Sequence, residues 1–237
     1  MGIVMVQPLI LQYYQLLPEH RLEEEAGEWP RQFRKSLLRY KRAVAARYNE
    51  STLERLLHCP DAEVRQAAIL ALGMLGSIRI NQAVAHRLHD EDPTARQLAE
   101  NALWSIWFRA DSAENNQELQ RLMSLGAQDG DPQEVLAGYE TLIRKSPRYA
   151  EAFNQRAIYH FRNGNYAKSA SDCEKVLRIN PYHFGAAGGM GQCFMKQKKL
   201  RAALRVFRRA HRINPNLDGI REWIQSLERI LGEEGRR

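Results

Sequence analysis

Cysteine is scarce in this chain. Cys59, Cys173 and Cys193 are the only three in 237 residues, and none forms a CxxC pair. An odd number without that spacing excludes a disulfide framework and a zinc knuckle. Cys173 and Cys193 are expected as buried, reduced thiols. Long apolar runs are also missing: none reaches the about 18 residues that a membrane-crossing helix needs, so no transmembrane segment is expected. The chain has no HExxH, no phosphate-cradling glycine loop ending in Lys-Ser/Thr, and no GxSxG. Without such a constellation it is not expected to be an enzyme, and no catalytic residue, metal or cofactor is assigned. Finally, no acidic residue occurs between Glu174 and Asp218, an interval rich in lysine and arginine.

The composition that remains is that of a folded soluble protein, with 44% hydrophobic and 27% charged residues and a net charge of +7. The length suits one or two domains. Residues 1–17 are apolar and aromatic, but they lack a basic leader and a small-residue cleavage site, and Pro8 interrupts them. They read as a docking tail or packed extension of a cytoplasmic protein, the alternative being an unusual export signal or membrane anchor. Glu19, Glu23, Glu24, Glu25 and Glu28 then form an acidic linker, so 1–28 stands apart from the remainder of the chain.

Two periodicities organise the rest. Asn180-Pro181 recurs 34 residues later as Asn214-Pro215, and at that offset Tyr166 maps to Leu200 and Cys173 to Phe207. Backwards, Pro181 maps to Pro147, Gly164 to Gly130 and Ala157 to Met123. A second repeat of 31 residues carries Asp61 and Arg65 onto Asp92 and Arg96, and Leu53 and Leu57 onto Val84 and Leu88. Periods of this size mark helical hairpins that bury their apolar faces only against their neighbours. Trp29-Pro30 reads as a helix start, followed by Phe33, Leu37, Tyr40 and Val44 on one face. Asp61 and Asp92 stand where N-caps are needed, and Arg65 and Arg96 are placed to reach an aspartate of the adjacent repeat or of their own turn. Ala68, Ala71, Ala99 and Ala102 would allow close helix approach. Ile220, Trp223, Ile224, Leu227 and Leu231 form the apolar face of a final helix, expected to cap the stack.

The 31-residue units, roughly 50–109, resemble HEAT repeats of the short type found in bilin lyases. A degenerate first unit extends the resemblance back to Phe33, Arg34 and Leu37. From Asn116 the chain resembles tetratricopeptide repeats, with Phe153, Ala157, Gly164, Tyr166 and Pro181 in the positions that family favours. Gly191, Leu200, Ala203, Phe207, Ala210 and Pro215 mark a third unit. Leu119, Met123, Gly130, Val135, Tyr139, Leu142 and Pro147 mark the first. The implied fold is all-α, an α-solenoid with HEAT-like hairpins over 29–109, a linker at 110–115, tetratricopeptide hairpins over 116–217 and a cap over 218–237. Trp104, Trp107 and Phe108 are expected to close the first stack.

The resemblance implies a scaffold or adaptor whose first helices line a concave groove for a peptide or partner helix. In register, that groove comprises Gln120 and Ser124; Glu151, Asn154, Ile158, Phe161 and Arg162; and Gly188, Gln192, Met195 and Lys196. Where chaperone-binding members place a carboxylate clamp, this chain has Gln120, Ser124, Gln155, Gly185 and Gly189, so no chaperone-tail clamp is expected. Gly185 to Gly191 is either a frail helix or bare backbone open to a ligand. The alternative partner is nucleic acid or another acidic surface, bound by the basic stripe of Arg201, Arg205, Arg208 and Arg212. A lyase or lyase accessory is the third class, carried by fold analogy alone. His86, His89, Asp90 and Asp92 have metal-ligand chemistry but read as a solvated inter-helix turn. The His-Glu dipeptides of iron-binding HEAT enzymes are absent.

Overall fold

The computed structural model describes residues 8–18, 29–128 and 131–234. Thirteen α-helices and no strand occur among the described residues, the all-α solenoid that the two periods imply. The chain divides into two compact units, one up to Ile106 and one from Trp107. The acidic linker and Gly130 lie outside the described residues.

The first unit opens with α1 (Leu9–Gln15), a two-turn helix within the segment that reads as an apolar tail. Ile10 and Leu11 are fully buried, and α1 packs on α2 (Trp29–Ala45) and α4 (Ala62–Leu75). Polar groups fix its register. The Ile10 N–H donates to the Tyr48 hydroxyl (3.0 Å), the Tyr14 hydroxyl to Gln66 Oε1 (3.1 Å), and the Gln15 amide to Glu63 (3.0 Å). On α2, Tyr40 and Val44 are buried and Phe33 and Leu37 half-buried, while Arg34, Lys35, Arg39, Lys41 and Arg42 are exposed. This is the amphipathic split that the 3.6-residue period demands.

The hairpins proper are α3 (Glu50–Leu56) with α4, and α5 (Asn81–His86) with α6 (Pro93–Phe108). Asp61 caps α4, accepting from Glu63 N and Val64 N, and Asp92 caps α6, accepting from Ala95 N at 2.7 Å. Ala68, Ala71, Ala99 and Ala102 are buried. A Cβ added at Gly73 would lie 2.9 Å from that of Ala102, so α4 and α6 meet almost backbone to backbone.

Arg65 reaches the next hairpin, and its partner there is Asp90 rather than Asp92. Its Nε and Nη2 donate to the two Asp90 oxygens at 2.9 and 2.8 Å, and its Nη1 donates to the carbonyls of Cys59 and Pro60. The two side chains are only 5% and 1% exposed. Arg96, by contrast, donates among the described residues to backbone carbonyls of its own turn, those of Asp90 and Glu91. Asp90 is thereby committed to structure, while His86 and His89 are exposed.

In the second unit, α7 (Ala113–Ala127) pairs with α8 (Pro132–Lys145), α9 (Ala150–Arg162) with α10 (Tyr166–Ile179), and α11 (Phe184–Lys196) with α12 (Leu200–Ile213). The last helix, α13 (Ile220–Glu234), comes next. Small residues sit where helices cross. A Cβ on Gly191 would collide with the Phe207 ring, and one on Gly138 with Leu122. The α9–α10 turn uses Gly164 at φ +73°; 34 residues later the α11–α12 turn sets Lys198 at φ +59°. Ile220 and Leu227 of α13 join the core with Ala203 and Phe207, which caps the stack. Trp223, expected on the packed face, remains 45% exposed on the outer side of that helix; its ring only partly covers Phe207, at 6.3 Å.

The glycine-rich start of α11 is a continuous helix. A Cβ on Gly188 would meet only Ile220 Cδ1 at 3.7 Å, and one on Gly189 only the Cys173 sulfur at 3.8 Å, both ordinary contacts. Burial pushes the Cys173 thiol up to about 12 and also raises Cys193, whose sulfur lies 3.1 Å from Ser169 Oγ. Neither thiol is activated as a nucleophile.

This packing makes three stability predictions. Lys198→Gly should raise stability by about 1 kcal/mol, because a left-handed residue other than glycine is strained; urea unfolding would show it as a higher midpoint at constant slope. Arg65→Ala should cost about 3 kcal/mol, because it removes the bidentate partner of a buried carboxylate and leaves it only Arg87 at 3.2 Å and the Asp92 N–H. Burial by itself would raise the Asp90 carboxyl, but the bonds from Arg65 and the Asp92 N–H hold it below the ordinary value of 3.8. Its stabilisation is therefore complete above that value and lost as pH falls through the lower folded one. Asp90→Asn should flatten this acid-induced loss.

Candidate partner-binding groove

Three first helices, α7, α9 and α11, bear the residues that register assigns to a groove. Turns fix the entry of two of them: Ser112 caps α7 by accepting from Asn115 N, and His183 Nδ1 caps α11 by accepting from Ala186 N at 3.0 Å. Outward-facing positions repeat at the 34-residue offset, so Ser124, Ile158 and Gln192 are exposed at matching places. Arg162 and Lys196 match likewise, both exposed, and neither has an acidic partner among the described residues.

Between α7 and α9 lies a cavity of about 150 Å³ lined by Met123, Gly126, Tyr139, Ile158, Tyr159 and Arg162, among others. A Cβ at Gly126 would come 3.1 Å from the Tyr159 ring, so glycine leaves that ring face accessible. Burial pushes the Tyr139 phenol up to about 12 against the opposing pull of Arg162, so it is a neutral hydrogen-bond donor at physiological pH. The cavity therefore offers apolar walls, a neutral phenol and a guanidinium without an acidic partner among the described residues.

Not every residue assigned to the groove is open. Gln120, Ser124, Ile158, Arg162, Gln192 and Lys196 are exposed or partly so, and Phe161 and Met195 are half-buried. Phe161 rests edge-on against Tyr166 at 5.3 Å. Glu151, Asn154 and Gly188 are buried, which corrects their place in the groove. Gly188 lies beneath Ile220 of the capping helix.

Glu151 and Asn154 turn inward because a buried carboxylate needs donors. Glu151 Oε1 accepts from Asn154 Nδ2 (2.9 Å) and Gln155 Nε2 (2.6 Å), and its Oε2 pairs with His183 Nε2 at 3.0 Å. Since His183 Nδ1 accepts from a backbone N–H, the ring hydrogen sits on Nε2, pointing at Glu151. Trp107 stacks on the His183 ring at 4.1 Å and leans on Phe184. Sequence reasoning misses this cluster. Its one visible signal is a histidine just before the third first helix, and solvated histidines are common there.

The basic stripe is also modified. Arg201, Arg205, Arg208 and Arg212 are all exposed on α12, but Arg208 is tied to Glu228 of α13 at 2.6 Å. Three arginines of the stripe have no acidic partner among the described residues.

A family model for HEAT repeats matches residues 38–142, and one for the tetratricopeptide repeat matches 150–183. A TPR repeat-containing protein of Rhizobium etli is 30% identical over 155 residues, covering 65% of this chain and 76% of that protein. The chain belongs to the tetratricopeptide-repeat proteins. This tetratricopeptide-repeat protein carries HEAT repeats before its tetratricopeptide match, over a stretch that takes in α7 and most of α8, and its architecture is that of a protein-interaction scaffold. It is also similar to Hsp70-Hsp90 organizing protein 1 of Glycine max, at 25% identity over 100 residues, but spans only 18% of that protein's length. Among solved structures, the Sgt2 TPR domain of Aspergillus fumigatus superposes with a TM-score of 0.49 at 16% identity, covering 54% of this chain and 85% of that one. The TPR2AB domain of yeast Sti1 gives 0.44 at 15% identity, covering 84% and 93%. No helix among the described residues is long and apolar enough to cross a membrane.

The Glu151 cluster predicts a stability effect without a binding role. Glu151→Ala leaves two amides and the His183 N–H without their acceptor, so it should cost at least about 3 kcal/mol. Thermal unfolding monitored by circular dichroism would check it; a change below about 1 kcal/mol would mean that the cluster does not hold α9 to α11.

Proposed function

We propose that this protein is a non-catalytic, cytoplasmic adaptor that holds an extended peptide or a partner helix in the groove of α7, α9 and α11. The observation that carries this reading is the α7–α9 cavity, where Ile158 and the Tyr159 ring stand beside Arg162, which has no acidic partner among the described residues. An apolar side chain of about leucine size suits that cavity, and the guanidinium and the phenol offer hydrogen bonds to the backbone or side chains around it. The exposed amides of Gln120 and Gln192 extend the same face with adaptable donors and acceptors. The Arg65–Asp90 and Glu151–His183 clusters are fully engaged in holding helices together, which supports a binding role over a chemical one. Nucleic acid, the competing partner, would use Arg201, Arg205 and Arg212 of α12 instead.

A photo-crosslinking residue placed at position 158 or at position 205 of the full chain separates these partners. Crosslinks from 158 to a protein are expected, insensitive to nuclease and reduced at least tenfold by Arg162→Glu. Crosslinks confined to 205 and abolished by nuclease would replace the adaptor reading with nucleic-acid binding.

A further inference from the structure

The HEAT unit has its own helix-binding face, and one helix already sits on it. Positions 36, 39, 40 and 43 of α2 recur, 31 residues apart, as 67, 70, 71 and 74 of α4 and as 98, 101, 102 and 105 of α6. Over the α2 set lies the end of α1: Tyr13, Leu16 and Leu17 share a cavity of about 230 Å³ with Ser36, Arg39, Tyr40 and Ala43. Over the α4 and α6 sets lies a larger open groove of about 790 Å³, whose floor includes Leu70, Met74, Leu98, Asn101, Ala102 and Ser105. Its near wall is the flank of α1 itself, through Tyr14 and Gln15.

We infer that this groove binds an uncharged amphipathic helix of a partner, of the same kind as α1, lying on α4 and α6 as α1 lies on α2 and α4. Size is the first argument. A two-turn helix is about 10 Å across and about 10 Å long, a body of the same order as the open groove. Charge is the second. Among the described residues no lysine or arginine lines the groove, and the one carboxylate there, Glu63, already accepts from the Gln15 amide. An ionised ligand group would find no counter-charge there, which disfavours acidic peptides, phosphates and carboxylate lipids. The seated helix has this chemistry, since residues 8–18 carry no charge at all. Continuity is the third. Tyr14 and Gln15 anchor α1 to Gln66 and Glu63, two groove residues, so an incoming helix would pack along α1 and extend an existing helix layer. Leu and Tyr at i, i+3 and i+4 on the incoming helix would meet Leu70, Met74 and Leu98, while Asn101 and Ser105 supply polar contacts at one edge.

The probe is a fluorescent peptide of residues 8–18 with two lysines appended for solubility, titrated into the full chain by anisotropy. Saturable one-site binding is expected. Asn101→Arg, at an exposed position that tolerates exchange, and Leu98→Glu should each weaken it at least tenfold, with circular dichroism unchanged. Ala43→Glu, in the site that α1 occupies, should leave it within twofold. Absence of saturable binding would overturn the inference. So would loss with Ala43→Glu but not with Asn101→Arg, because the peptide would then only be exchanging with α1. Equal binding by a peptide with Ile10, Leu11, Tyr14 and Leu17 all replaced by serine would overturn it too. Binding in the adaptor groove of the second unit would not respond to Asn101→Arg or Leu98→Glu, so binding that neither variant weakens would also overturn the inference.

Discussion

A carboxylate buried between successive helical hairpins needs donors from more than one of them, and that requirement organises both units. In the first unit Asp90 sits in one hairpin turn and Arg65 comes from the hairpin before it. In the second, Glu151 near the start of α9 takes donors from its own helix and from His183 at the head of α11. A solenoid has no single central core, so neighbouring hairpins are joined only by their shared interfaces. Apolar contacts there are tolerant of sliding, whereas a bidentate or three-donor carboxylate is not. Each cluster fixes the displacement and rotation of the one hairpin pair that it joins, and so which side chains of that pair face outward.

That geometry explains the division of labour along α9. Its inward residues, Glu151 and Asn154, belong to the clamp, and its outward residues, Ile158 and Arg162, are left to line the α7–α9 cavity. One helix thus serves stability over its first turns and recognition over its last. A further ion pair, Arg156 with Asp172 at 2.7 and 2.8 Å, holds α9 to α10 on the opposite side. The cavity wall is fixed from two directions, which suits a preformed site with little ordering cost on binding.

Much of this is legible in residue spacing. The 34-residue period locates α9 to α12 and their turns, and Gly191 is readable as a packing position; its missing Cβ leaves room for Phe207. The apolar face of α2 comes from 3.6-residue spacing, as does that of α13 apart from Trp223, and the caps Asp61 and Asp92 from their place before an apolar run. Groove residues are assigned by register, and register gives the face of a helix without the depth at which that face lies. Glu151, Asn154 and Gly188 are misplaced by register for this reason. Charge type also misleads by itself, since a glutamate reads as exposed unless its donors are known, and His183 lies 32 positions away.

The sequence by itself determined the helical class, the two repeat lengths, the turn residues and the absence of a recognised catalytic motif, because all of these depend on local periodicity and short-range sterics. Tertiary structure alone decided where α1 docks, that Asp90 and not Asp92 receives Arg65, that Arg208 is paired with Glu228, and where the cavities open. Those outcomes are set by distances between residues far apart in the chain. Such distances come from how hairpins stack, and no one-dimensional spacing encodes them.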